Sequence, residues 1–108
     1  MRWRLGMNHN FSPNRYYLSI GSHKPVLKVR SGDTINTTTA DAGGRDLHGE
    51  VVSPGGNPQT GPFYIQDAYP GDVLAVTLDK VWPNRGNGFC RPAIASNVLE
   101  PGHDAGIL

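Results

Sequence analysis

Apolar and polar positions give their best strand across residues 73–81. Leu74, Val76 and Leu78 fall on one face of an extended chain, and Val73, Ala75, Thr77 and Val81 on the other. Both faces are apolar or small, which is the pattern of a strand covered on both sides, so this segment is predicted to be a central strand. Shorter runs of β-formers predict further strands at residues 16–20, 26–29, 34–39 and 63–65. Pro25 suits the entry to the second of these, because proline is tolerated at the first position of a strand. Helical spacing of apolar positions is absent from every long window that lacks Gly or Pro. A short helical turn around Ala93 to Asn97 is the one helical expectation.

Two of these strands open on the same phrase. Ser31-Gly32-Asp33-Thr34-Ile35 leads into one, and Pro70-Gly71-Asp72-Val73-Leu74 into the other. In each, Gly permits a tight turn and Asp can accept hydrogen bonds from the turn's amides. The surrounding segments do not match, so the phrase reads as two uses of one turn rather than as an internal repeat. Between the strands, residues 41–61 form a long polar stretch carrying Gly43-Gly44, Pro54-Gly55-Gly56 and Pro58. A loop of that length in a compact domain is often functional.

Composition sharpens this picture. With 14 glycines and 9 prolines in 108 residues, the chain favours a turn-rich β protein. A chain of this length hides roughly 60–68% of its unfolded surface, so its core is thin. Cys90 is the only cysteine, which excludes an internal disulfide. Oligomerisation or additional chain is then the expected source of stability. The net charge of +1 comes without a basic patch or stripe, which argues against nucleic acid as a partner. No apolar stretch approaches the ~20 residues of a membrane helix, and no signal-peptide run opens the chain, so the expected location is cytoplasmic. The matches to the N-glycosylation pattern at Asn10 and Asn36 then read as chance. The ending, Gly106-Ile107-Leu108, reads like a cut within a longer polypeptide.

Asp41 is the first candidate for chemistry. It closes a predicted strand and precedes Ala42-Gly43-Gly44, whose glycines allow a sharp bend and close approach of a ligand. A carboxylate there can coordinate a metal, act as a base, or simply cap its own turn. His48 lies in the long polar loop and is a candidate ligand or proton carrier, with a solvated loop histidine as the alternative. His9 carries the same alternatives, and His23 reads as turn surface. None of the four histidines has the local spacing of a metal site. Cys90 lacks a nearby His partner and reads as an inert thiol.

Taken together, several segments resemble the N-terminal region of the acetamidase/formamidase family. They are Pro25-Val26 to Val29, then Ser31-Gly32-Asp33-Thr34, then Thr39-Ala40-Asp41-Ala42-Gly43-Gly44. Thr60-Gly61-Pro62-Phe63-Tyr64-Ile65 and Pro70-Gly71-Asp72-Val73-Leu74-Ala75-Val76 follow. The order of these elements is more specific than any one of them. The resemblance implies an amide hydrolase that converts short amides to carboxylate and ammonia. It also implies a mainly β fold, with a sandwich- or barrel-like antiparallel sheet, long loops and little helix. Residues 1–108 would be a single β domain forming the N-terminal part of a larger amidase, inactive alone. Its partners would be a small amide substrate and either further copies in a homo-oligomer or the remainder of a split amidase. The implied cofactor is a divalent metal such as zinc, with Asp41 and His48 as candidate ligands. Asp41 would carry the catalytic role, with Gly43 and Gly44 close to the substrate. After Gly44 the family continues Gln-Ile where this chain has Arg45-Asp46, and the family's later acidic, His-containing stretch has no counterpart here.

Two other classes fit parts of the sequence. One is a small copper-binding cupredoxin-like electron-transfer protein using Cys90 and His103, although their separation is long for such a ligand loop. The other is a non-catalytic β module that assembles with a partner chain.

Overall fold

The structure is a computed structural model that describes residues 5–88 and residue 100. Four short strands make up its regular structure: β1 (Asn8–Phe11), β2 (Leu27–Val29), β3 (Thr34–Thr37) and β4 (Phe63–Ile65). No helix occurs among the described residues. The fold is thus mainly β with long irregular connections, as composition and periodicity predict.

The pairing departs from the antiparallel expectation. β1 lies beside β3 and β2 beside β4, and both ladders are parallel. Parallel neighbours require long crossovers. Here the β1-to-β3 connection contains β2, and the β2-to-β4 connection contains β3 and the 41–61 loop. Antiparallel contacts survive only as isolated bridges among the described residues, Tyr17 to Gln59 and Arg45 to Val51.

The β2–β4 ladder follows sequence pattern. Val29 faces inward and is 5% exposed, opposite Ile65, while Lys28 faces outward with its amine 5.4 Å from the Tyr64 ring centre. The ladder continues at both ends, with Val26 N–H donating to Pro62 O and Gln66 N–H donating to Val29 O. β1 is different, because Asn-His-Asn-Phe has little intrinsic strand preference. Tertiary contacts hold it to β3. Asn36 donates to Asn10 Oδ1, the Thr37 hydroxyl donates to Phe11 O, and Asp33 accepts from Met7 N–H. Phe11 meets Phe63 edge to face, with ring centres 5.8 Å apart, which joins the two small sheets.

Several predicted strands are corrected. β3 ends at Thr37 rather than 39. Within 16–20 only Tyr17 bridges another segment. The chain then turns back on itself, with His23 N–H bonded to Gly21 O and the His23 ring stacked on Tyr17. The largest correction is residues 73–81, predicted as the covered central strand. This segment joins no ladder among the described residues, and Val76 is 79% exposed and Leu78 77%. Its alternation is that of a strand, but burial requires neighbours on its edges and faces, and the described residues supply none. Val29 is the one buried hydrophobic side chain among the described residues, and many of their large apolar side chains are exposed. The helical turn expected at 93–97, Cys90 and His103 lie outside the described residues.

Candidate functional site

The doubled Gly-Asp phrase forms the same turn twice. Asp33 N–H donates to Arg30 O, and Asp72 N–H to Tyr69 O, at 3.0 Å in each case. Each Asp carboxylate accepts the N–H three residues earlier, from Arg30 at 2.9 Å and from Tyr69 at 2.8 Å. The glycine before each Asp has positive φ, +88° at Gly32 and +95° at Gly71, a region glycine enters without steric cost. Among the described residues, only the first turn launches a paired strand.

Asp33 does more than cap its turn. Its side chain is 2% exposed, and it accepts from Met7 N–H and Arg30 N–H and pairs with His9 Nε2 at 2.9 Å. The sequence places His9 and Asp33 far apart, and only the β1–β3 register brings them together. That pairing escaped sequence reasoning because β1 carries no apolar alternation. The one available signal was a histidine followed by Asn and Phe ahead of the first turn.

Asp41 also sits at the head of a closed loop. Its Oδ1 accepts N–H groups of Gly43 and Arg45, both at 2.9 Å, and its Oδ2 accepts Arg85 Nη2 at 2.6 Å. Its side chain is 12% exposed. Asp46 then repeats the arrangement five positions on. Its Oδ1 accepts N–H groups of His48 at 2.9 Å and Glu50 at 3.0 Å, and Gly49 N–H returns to Asp46 O as Gly44 N–H returns to Asp41 O. In both loops the glycine three places after the Asp has positive φ, +87° at Gly44 and +76° at Gly49. The polar stretch is therefore two tandem Asp-x-x-Gly loops. Arg45 ties them together, donating from Nη1 to Gly49 O.

This geometry fixes the electrostatics of Asp41. The Arg45 amide, then the Arg85 side chain, and lastly the Gly43 amide and the Arg85 charge hold its carboxyl below the ordinary carboxylate range, against a smaller opposing effect of burial. A carboxylate has about four acceptor positions, so three bonds leave room for about one more donor.

The remaining candidates are distributed as follows. Gly43 and Gly44 both lie in the Asp41 loop, and both of their N–H groups donate within it. Gly44 is buried, and a Cβ there would stand 3.1 Å from Gly55 O and from Ser53 O. His48 is exposed at the tip of the second loop. His23 is half-buried, its Nε2 3.0 Å from both the hydroxyl and the carbonyl of Ser19. No group of three or more His, Cys, Asp or Glu residues placed to hold a metal ion occurs among the described residues. Asp41 accepts from two amides and an arginine, and His48 lies in the loop that follows. No helix among the described residues is long and apolar enough to cross a membrane.

No family model, no curated protein and no solved structure matches this chain. What the site can do rests on its own residues.

Proposed function

We propose that this chain is the N-terminal β portion of an amide hydrolase of the acetamidase/formamidase type, with the Asp41 loop forming one wall of a site completed by other polypeptide. The single observation that carries the reading is the immobilised Asp41 carboxylate. It is an anion held in one orientation by two backbone amides and a guanidinium. The ordered motif Thr39-Ala40-Asp41-Ala42-Gly43-Gly44, Thr60-Gly61-Pro62 and Pro70-Gly71-Asp72 supports it.

In this role Asp41 is an orienting group. A carboxyl held below its ordinary range is a weak proton acceptor near neutral pH, but its remaining acceptor position suits the NH2 of a primary amide. Holding the amide nitrogen fixes the direction from which water meets the carbonyl carbon. Attack by water, a proton to nitrogen and cleavage of the C–N bond give carboxylate and ammonium. The sandwich or barrel expected of the complete fold would form when the exposed 73–81 segment gains neighbours.

The test is ammonia release from formamide and acetamide by the chain combined with its completing polypeptide. Asp41→Asn keeps the side chain's shape, removes its charge and is expected to lower turnover at least tenfold in protein that still folds, at some loss of stability. Unchanged turnover removes Asp41 from the site. A second reading, a non-catalytic β assembly module, is favoured by the uncovered 73–81 segment. It predicts association without amide turnover in any combination.

A further inference from the structure

The described part of the chain leaves one segment whose chemistry is unspent. From Asp72 to Pro83 the backbone runs without turn, bend or ladder, and residues 73–82 make no backbone hydrogen bond among the described residues. Val73, Leu74, Val76, Leu78, Val81 and Trp82 are all exposed. An extended segment with two apolar faces, whose backbone donors and acceptors have no backbone partner among the described residues, is a template for another strand. An open groove of about 490 Å³ begins at its N-terminal end, lined by Val73, Leu74, Ile65 and Ala68 together with Asp67 and Asp72.

We propose that residues 72–80 pair antiparallel with the same residues of a second copy of this chain, about a two-fold axis at Val76. The inference rests on the reading that other polypeptide completes the sheet, and it names that polypeptide for this edge. The occupant follows from the segment's own complementarity. Centred on Val76, an antiparallel pair sets Val76 opposite Val76 once on the axis, and Leu74 opposite Leu78 and Asp72 opposite Lys80 twice each by symmetry, all on one face. The partner's Lys80 then arrives at the acidic end of the groove, and its Leu78 extends the apolar mouth formed by Val73 and Leu74. Arg30 also lines that groove, but its Nε is held by Gln66 Oε1 at 2.9 Å.

Neighbouring registers lose this match. Centring on Ala75 sets Asp72 against Leu78, and centring on Thr77 sets Lys80 against Leu74. Parallel in-register pairing sets Asp72, Asp79 and Lys80 each against its own like charge, which is unfavourable. Lys80 is available along the strand, its amine lying 5.5 Å from the exposed Trp82 ring centre.

The experiment uses the purified 108-residue chain with Cys90→Ser as background, so that an introduced thiol is the only one. Val76→Cys is expected to give a disulfide-linked dimer on mild oxidation, because the axis places position 76 opposite itself. Leu74→Cys is expected to remain largely unlinked, because its counterpart lies four residues further along the partner strand. In the unlinked protein, light scattering across a concentration series is expected to show a dimer that Lys80→Arg keeps. Lys80→Glu is expected to weaken it on the order of tenfold at low salt, since each dimer carries two such pairs. A monomer at all concentrations, non-specific aggregation, equal linking through position 74, or a dimer indifferent to Lys80→Glu overturns the proposal. Association only with a different polypeptide overturns it as well. Amide turnover enters none of these readouts, so their failure leaves the amidase reading standing, and loss of that reading leaves them interpretable.

Discussion

Arg85 reaches back over 44 residues to place its Nη2 2.6 Å from Asp41 Oδ2. The contact ties the chain just beyond the exposed 73–81 segment to the glycine bend, so the candidate carboxylate and that segment belong to one connected unit. It also determines what kind of acid Asp41 is. With its carboxyl held down by the Arg45 amide first and Arg85 second, Asp41 is a fixed anion across the neutral range.

A pH dependence follows. A carboxyl depressed in the folded state contributes stability that is fully present above its unfolded value of about 3.9 and is lost as pH falls through the folded value. Carbon-detected NMR titration of the Asp41 carboxyl is expected to place its midpoint below that of an ordinary aspartate. Arg85→Ala is expected to move the midpoint upward only in part, because the Arg45 and Gly43 amides remain. A midpoint in Arg85→Ala equal to that of a free aspartate would mean that the amides do not hold the group.

The two tandem loops offer an internal comparison. Gly44 and Gly49 occupy equivalent positions with similar positive φ, yet a Cβ at Gly49 meets nothing within 4 Å, whereas at Gly44 it stands 3.1 Å from two carbonyl oxygens. Gly49→Ala is expected to cost about 1 kcal/mol, the backbone strain alone. Gly44→Ala carries the same strain plus a clash with the 53–55 segment, and is expected to cost about 2–3 kcal/mol. Urea unfolding monitored by circular dichroism measures both. Equal losses would show that the Ser53 and Gly55 carbonyls yield freely.

These loops also show what could be read from the chain and what could not. Turn chemistry is local, so Gly32-Asp33 and Gly71-Asp72 were legible as capped turns, and β2 and β4 followed from their β-formers. The closing of Asp41 on its own loop was legible as one of the alternatives. Arg85 as its partner was not, because a contact spanning 44 residues leaves no mark in spacing. β1 was missed because Asn8 and Asn10 have low strand preference, and its pairing depends on Asp33 from another segment. Residues 73–81 failed in the opposite sense. Their alternation describes the environment the segment is built to enter, and the described residues do not provide that environment.

The last prediction separates Asp33 from Asp72, which cap the same turn in different surroundings. Asp33 is 2% exposed and takes Met7 N–H, Arg30 N–H and His9 Nε2, while Asp72 is exposed and caps Tyr69 N–H. Asp→Asn turns one carboxylate oxygen into an NH2 group. At position 33 that NH2 would face donors already in place, leaving buried polar atoms unsatisfied at about 1–3 kcal/mol. At position 72 water can replace the lost acceptor, and the expected cost is about 0.5–1 kcal/mol. Asp33→Asn should also release the Met7 and Thr34 amides to hydrogen exchange, since β1 is pinned to β3 through this carboxylate. Slow exchange retained at Thr34 in Asp33→Asn would show that the Asn10–Asn36 and Thr37–Phe11 bonds hold the ladder without it.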